Sequence, residues 1–353
     1  MTSLDLSQDV VSLTRALCDI ESVSGNERRI ADSVEQALRA LPHLQVERDG
    51  DTVMARTDQG RAERVVLAGH LDTVPVNDNW PSRLQEDRLV GLGSCDMKGG
   101  DAVALRIAAS VPEPNRDITF FFYECEEVEE ERNGLKRLAL DHPEWFVADF
   151  AVLLEPTQAT VEGGCQGTLR VDVVARGIRS HSARSWMGDN AIHKAADILQ
   201  RLSDFQPRRP VVDGLEYHEG LNAVGISGGV AGNVVPDAVR VSVNFRFAPD
   251  RSTEEAEAFV RNFFTGYVVE VSDLAPGARP GLDLPAAAAF VDVIGREPRA
   301  KMGWTDVARF SSLGVPAVNY GPGDPLLAHK QDEFVDTAEL RACEDRMRAW
   351  LTV

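Results

Sequence analysis

Cysteine is scarce: five in 353 residues, at Cys18, Cys95, Cys125, Cys165 and Cys343. The number is odd and no pair has C-x-x-C spacing. That argues against a disulfide framework and against a cysteine zinc knuckle, and it fits a reducing cytoplasm. Cationic residues are also few, 37 Lys and Arg against 56 Asp and Glu, for a net charge of -19. Such a surface repels nucleic acid and anionic membrane, so neither is expected as a partner. No apolar run reaches ~18 residues, so no membrane span is expected. The stretch MTSLDLSQDVVSLTRAL has neither a basic start nor an apolar h-region, and is not read as a signal peptide.

What is present is a large apolar fraction, 43%, in a chain long enough for two domains. Val10 to Ile20 has helical apolar spacing, and Ser24 reads as the N-cap of a helix over residues 26–41. LQVE and TVMAR flank Asp49-Gly50, a hairpin signal. VVLAG, ITFFFY, FAVLLE and VPAVNYG are continuous apolar runs that read as buried strands. Helical stretches lie between them at 97–110, 132–140 and 285–295. This alternation predicts an α/β fold, an α/β/α domain with a mostly parallel sheet. The middle differs: TLRVDVVA and VRVSVNFRF alternate with period two, with helices at 191–202 and after Ser252. An inserted α+β domain over 168–283 is expected, inside a catalytic domain of 1–167 plus 284–353.

Open α/β sheets bind ligands beyond the carboxyl ends of their strands. Those ends carry His70-Leu71-Asp72, Glu124-Cys125-Glu126-Glu127 and Glu155-Pro156. Asp96-Met97-Lys98-Gly99-Gly100 opens a helix, and His329 follows the last strand within a dozen residues. Imidazole and carboxylate are ligands that zinc accepts. Facing carboxylates without cations would repel one another. Two histidines and three carboxylates exceed the need of one catalytic zinc and suit a metal pair. Six glutamates crowd residues 124–131, so Glu124, Glu126 and Glu127 compete for two roles. His43, His142, His193 and His218 lack metal-like neighbours and read as surface or capping residues. Cys95 and Cys125 adjoin proposed ligands but are expected to point away from them.

GHLDTVP, GLGSCDMKGG, ECEEV, LLEPT and AHKQDE occur in this order. Together they resemble the co-catalytic zinc hydrolases: aminoacylases, acetylornithine deacetylases, succinyl-diaminopimelate desuccinylases and carboxypeptidase G-type enzymes. The resemblance covers nearly the whole chain. It implies that His70 and Glu155 hold one metal, Glu127 and His329 the other, and that Asp96 bridges. It makes Asp72 the carboxylate that orients His70, and Glu126 the general base. It favours the adjacent pair Glu126-Glu127 over Glu124. It gives His181 the task of donating to the oxyanion, and implies two divalent ions, zinc first, with cobalt or manganese also fitting. A small N-acyl amino acid substrate and a homodimer are implied as well.

Arg246, in NFRF, falls where relatives hold a substrate carboxylate. Asn233, Thr305 and Asn222 fall at or beside family substrate positions. Within the family, RSHSARSWMGDNAIHKA, GCQGT and GWTDVARF are most similar to the desuccinylases of the diaminopimelate and lysine pathway. Cys165-Gln166 stands where better-known desuccinylases have arginines, and Arg184 where they have an aromatic residue; Arg184 is expected to take over part of the anion contact. Acetylornithine deacetylase, aminoacylase or dipeptidase activity is the alternative within the family. From other classes come an inactive metal-binding scaffold, although no ligand or base is missing, and a two-metal phosphoesterase, although no phosphate loop accompanies the site.

Overall fold

Apolar runs long enough to be buried on both faces form the centre of the larger sheet. A computed structural model describes residues 4–352. In it VVLAG becomes the strand Arg64–His70, buried from Val65 onward. It pairs in parallel with Asp117–Tyr123 on one side and with Phe150–Leu153 on the other. Ala317–Asn319 extends the parallel set beyond Phe150–Leu153. The hairpin Gln45–Asp49 and Thr52–Arg56 adds antiparallel strands at one flank, and Glu162–Gly163 adds one at the other. The sheet has eight strands and is parallel only through its centre. The helices Val10–Cys18, Lys98–Ser110 and Thr337–Thr352 pack against one another. Their apolar side chains join one core with the central strands.

The chain forms two units. The larger holds the described residues through Gly163, then Gly281–Arg299 and the chain from Arg309 on; the smaller holds Gly164–Pro280 and Ala300–Ala308. Residues 300–308, assigned from sequence to the catalytic part, therefore cluster with the smaller unit. That unit is built on an antiparallel sheet in the order Gly220–Gly228, Ala238–Phe247, Gly167–Arg176, Val268–Ala275. Ala238–Phe247 buries every second residue, Val239 through Phe247. A slip of one residue would expose all five, each worth about 1.5–3 kcal/mol when buried, so the register is fixed. The helices Ala191–Ser203 and Thr253–Phe263 supply the rest of this core. Ser252 and Glu255 form a capping box at the start of the second. Gly220–Gly228 is an edge strand, exposed along most of its length.

Ser24 does not cap a helix. The helix over this region is Arg28–Arg39, its N-cap is Glu27, and no side chain caps it. Among the described residues, no helix is long and apolar enough to cross a membrane.

Gly100, on Lys98–Ser110, faces the strand end that leads to Glu155. A Cβ there would lie 2.2 Å from the Leu154 carbonyl oxygen, a rigid backbone atom. Gly100→Ala is expected to cost about 1–3 kcal/mol in denaturant unfolding, as overpacking does. A variant as stable as the parent would show that this helix approach is loose.

Candidate metal centre

The parallel strands end in the larger unit with their polar residues side by side. His70 is the last residue of its strand and is buried. Its Nε2 lies 3.2 Å from Asp96 Oδ1. On the other side of the same carboxylate, His329 Nε2 lies 3.5 Å from Asp96 Oδ2 and 2.9 Å from Glu127 Oε1. Asp96 thus turns one oxygen toward each imidazole. His70, Asp96 and Glu127 offer ligand atoms within 4.8 Å of one another. Glu155 is buried just beyond Phe150–Leu153 but is not part of that tight group; its charge is felt at Asp101.

Asp72 is fully buried and works behind these groups. Its backbone oxygen lies 3.1 Å from His70 Nδ1, and its Oδ1 3.6 Å from the same nitrogen. The carboxylate also accepts the backbone N–H of Glu126 at 3.0 Å and that of Glu127 at 3.1 Å. In the glutamate run, Glu124 accepts from Arg137 at 2.6 Å and also takes the Thr52 hydroxyl. Glu124 is thereby engaged away from His329, whereas Glu127 meets it. Both cysteines turn elsewhere: Cys95 Sγ donates to the Asp324 carbonyl and Cys125 Sγ to Glu27. Burial pushes the Cys125 thiol up to about 12, so it stays protonated. His142 pairs with Asp49, and His43 with the Ala108 carbonyl.

Several contributors carry no site assignment from sequence. Glu333, buried in AHKQDE, accepts the backbone N–H groups of Cys95 at 2.9 Å and Asp96 at 3.1 Å. Burial pushes its carboxyl up to about 7 against those donors. Ser24 Oγ donates to Asp72 Oδ2 at 2.7 Å. Asp101 is fully buried beneath Gly69, where a Cβ would meet its Oδ1 at 2.2 Å. Burial raises its carboxyl well above the usual range. The signal for Glu333 is its place four residues after His329; for Asp101 the sequence offers none.

Opposing charges set the protonation preferences of these groups. Burial opposes ionisation of Asp96, yet its hydrogen bonds to His329 and His70 hold it well below the usual carboxylate range. Burial raises Glu127. His329 is pushed up to about 10 by its bonds to Asp96 and Glu127. Burial disfavours charge on His70, but the Asp96 bond and the Asp72 and Glu126 carboxylates override it and raise its basicity. The acids thus favour the protonated form of both imidazoles.

The remaining candidates lie in the smaller unit. His181 is in the short strand Ser180–His181, paired with Val234–Val235. Its Nδ1 accepts the Ala183 N–H at 3.0 Å, so in the neutral ring Nε2 carries the hydrogen and faces outward as a donor. Asn233 accepts the Ser182 N–H beside it. Arg184 is exposed in the following turn. Asn222 lies opposite Asn244, and Arg246 is two residues along the same strand, so the three share the sheet face away from Phe245 and Phe247. Thr305 is buried, and its carbonyl accepts the Ala308 N–H.

The model of peptidase family M20/M25/M40 matches residues 66–352. The chain belongs to this family. It is 53% identical over 351 residues to a Mycobacterium tuberculosis protein named "Putative succinyl-diaminopimelate desuccinylase DapE", covering 99% of each chain. It is 48% identical over 341 residues to the succinyl-diaminopimelate desuccinylase of Corynebacterium glutamicum, covering 94% of this chain and 92% of the relative. The fold is that of a Staphylococcus aureus tripeptidase, with a TM-score of 0.80 at 20% identity over 99% and 98% of the two chains. M20 membership makes the chain a metal-dependent hydrolase, and the imidazoles and carboxylates at Asp96 fit a divalent cation.

Ligation needs neutral imidazole, so metal uptake at pH 7 is expected to release protons, and affinity is expected to rise with pH toward about 10, where His329 loses its proton unaided. Calorimetry in buffers of different ionisation heat reads this directly; a binding heat independent of buffer at pH 6–7 would contradict it. Glu333→Ala leaves two buried N–H groups unpaired. It is expected to cost about 1–3 kcal/mol of stability and to weaken metal binding roughly 10–100-fold.

Proposed function

We propose that the chain hydrolyses the amide bond of N-succinyl-LL-2,6-diaminopimelate, giving succinate and LL-2,6-diaminopimelate, with two divalent ions. The observation that carries the metal part is Asp96, set between His70 and His329 with one oxygen toward each. His70 and Glu155 would hold one ion, Glu127 and His329 the other, with Asp96 between them. Zinc is the first choice for this donor set; cobalt and manganese fit the same ligands. When bound, such a pair polarises the amide carbonyl and makes the attacking water more acidic.

The chain's own residues do the rest. Glu126 takes the proton from the attacking water as the new C–O bond forms. It then delivers that proton to the amine nitrogen as the C–N bond breaks, so the amine leaves neutral. Asp72 holds the Glu126 and Glu127 backbone so that both carboxylates keep their places. His181, with Nε2–H outward, donates to the oxyanion of the tetrahedral intermediate. Arg246 binds a substrate carboxylate through its two-pronged guanidinium, with Asn222, Asn233 and Thr305 beside the substrate. Arg184 contacts the succinyl carboxylate. The names of the Mycobacterium tuberculosis and Corynebacterium glutamicum relatives support the succinyl substrate.

A homodimer fits the exposed edge strand Gly220–Gly228, where Val224 is 62% and Ile226 59% exposed. A second copy pairing there would cover both the unpaired backbone and the apolar side chains. A cytoplasmic location fits five cysteines that are all free and buried.

The test is release of free amine from succinyl-diaminopimelate, N-acetylornithine and dipeptides, before and after chelation. The succinyl substrate is expected to be turned over fastest, with chelation abolishing activity. Glu126→Gln is expected to lower kcat by roughly 10²–10⁴-fold with metal content unchanged. A preference for dipeptides would overturn the substrate, and an active Glu126→Gln would overturn the base.

A further inference from the structure

Three of the loops that carry the site, those of His70–Thr73, Asp96–Lys98 and Glu124–Glu127, share a neighbour outside the span matched by the family model, residues 66–352. It is the connection between the helices Val10–Cys18 and Arg28–Arg39. Residues 20–27 of this connection touch these three loops in turn. The Ile20 carbonyl accepts from buried Lys98 Nζ at 2.8 Å, two residues after Asp96. Ser22 Oγ donates to the Leu71 carbonyl at 2.7 Å. Val23 forms a parallel bridge with Thr73, and the Ser24 and Thr73 N–H groups bond across it. Ser24 Oγ then reaches Asp72 Oδ2. Glu27, buried, accepts Gly25 N–H at 2.8 Å and Cys125 N–H at 3.2 Å on the same oxygen.

We propose that residues 20–27 are a brace for the metal centre, with Ser24 and Glu27 as its positioning residues. Neither needs to touch substrate or metal. Ser24 supplies one of three donors on the Asp72 carboxylate; the other two are the N–H groups of Glu126 and Glu127. Without the hydroxyl the carboxylate keeps only the two glutamate N–H groups and loses its side-chain tie to residues 20–27. Glu27 holds Cys125, which has a left-handed φ of 58° immediately before Glu126. Few residues with a Cβ adopt that conformation unless neighbours impose it. Glu27 acts as an acceptor, so an amide oxygen in its place serves equally well.

The inference rests on the metal-hydrolase reading above, and one experiment separates the two. Metal affinity is measured by chelator competition, site geometry by the visible spectrum of the Co(II)-loaded protein, and folding by the Tm of the metal-free protein. Ser24→Ala and Glu27→Ala are each expected to weaken metal binding by roughly tenfold and to alter the Co(II) spectrum, with kcat falling and KM held. Ser24→Thr and Glu27→Gln are expected to restore both affinity and spectrum. Wild-type affinity and spectrum in the two alanine variants would overturn the brace. So would an affinity loss that only follows a fall in Tm and is not restored by the conservative variants. A wild-type protein that binds no metal would overturn the hydrolase reading and the brace with it.

Discussion

The Asp72 carboxylate joins three parts of the chain at one point. It sits two residues past a buried strand and accepts hydrogen bonds from Ser24, Glu126 and Glu127. Its backbone oxygen and Oδ1 both lie beside the His70 ring. A buried carboxylate without partners would be costly, and this one is satisfied only when the loops are in place. The fold and the site are therefore coupled: the hydrogen bonds that make Asp72 tolerable in the core also fix the Glu126 and Glu127 backbone.

The electrostatics follow the same logic from the other side. Asp72, Asp96, Asp101, Glu126 and Glu127 gather near His70, with Glu155 acting on Asp101, and burial raises Asp101 and Glu127. Two histidines and buried Lys98 are the counter-charges at hand. The histidines serve that purpose only while protonated, and a protonated ring cannot ligate. A divalent cation resolves the conflict by replacing those protons with charge that does not depend on pH.

Much of this is legible in the amino-acid sequence. Strand ends are readable because both-face burial demands long apolar runs, and VVLAG, ITFFFY and FAVLLE have them. His70, Asp96, Glu127 and His329 do converge: His70 ends a strand of the parallel set, and the other three reach it from turns and loops. Ser24 misleads for a physical reason. Ser24-Gly25-Asn26-Glu27 has the spacing of a capping box, yet the serine is drawn to Asp72 and the glutamate to Cys125. A tertiary acceptor outcompetes a local one, and spacing cannot reveal that. The strand Gly220–Gly228 is hidden in the sequence because its three glycines and exposed valine and isoleucine break the alternation that marks Ala238–Phe247. The inserted unit's reach to 300–308 is invisible for a similar reason: no composition shift marks where the chain changes partners.

The central claim is that two cations share Asp96. Anomalous diffraction from crystals soaked in zinc tests it most directly. The account predicts two peaks about 3.5–4 Å apart, one at roughly 2.0–2.2 Å from His70, Glu155 and Asp96, the other from Glu127, His329 and Asp96. A single peak that leaves either histidine without a metal, or no peak beside Asp96, would contradict it.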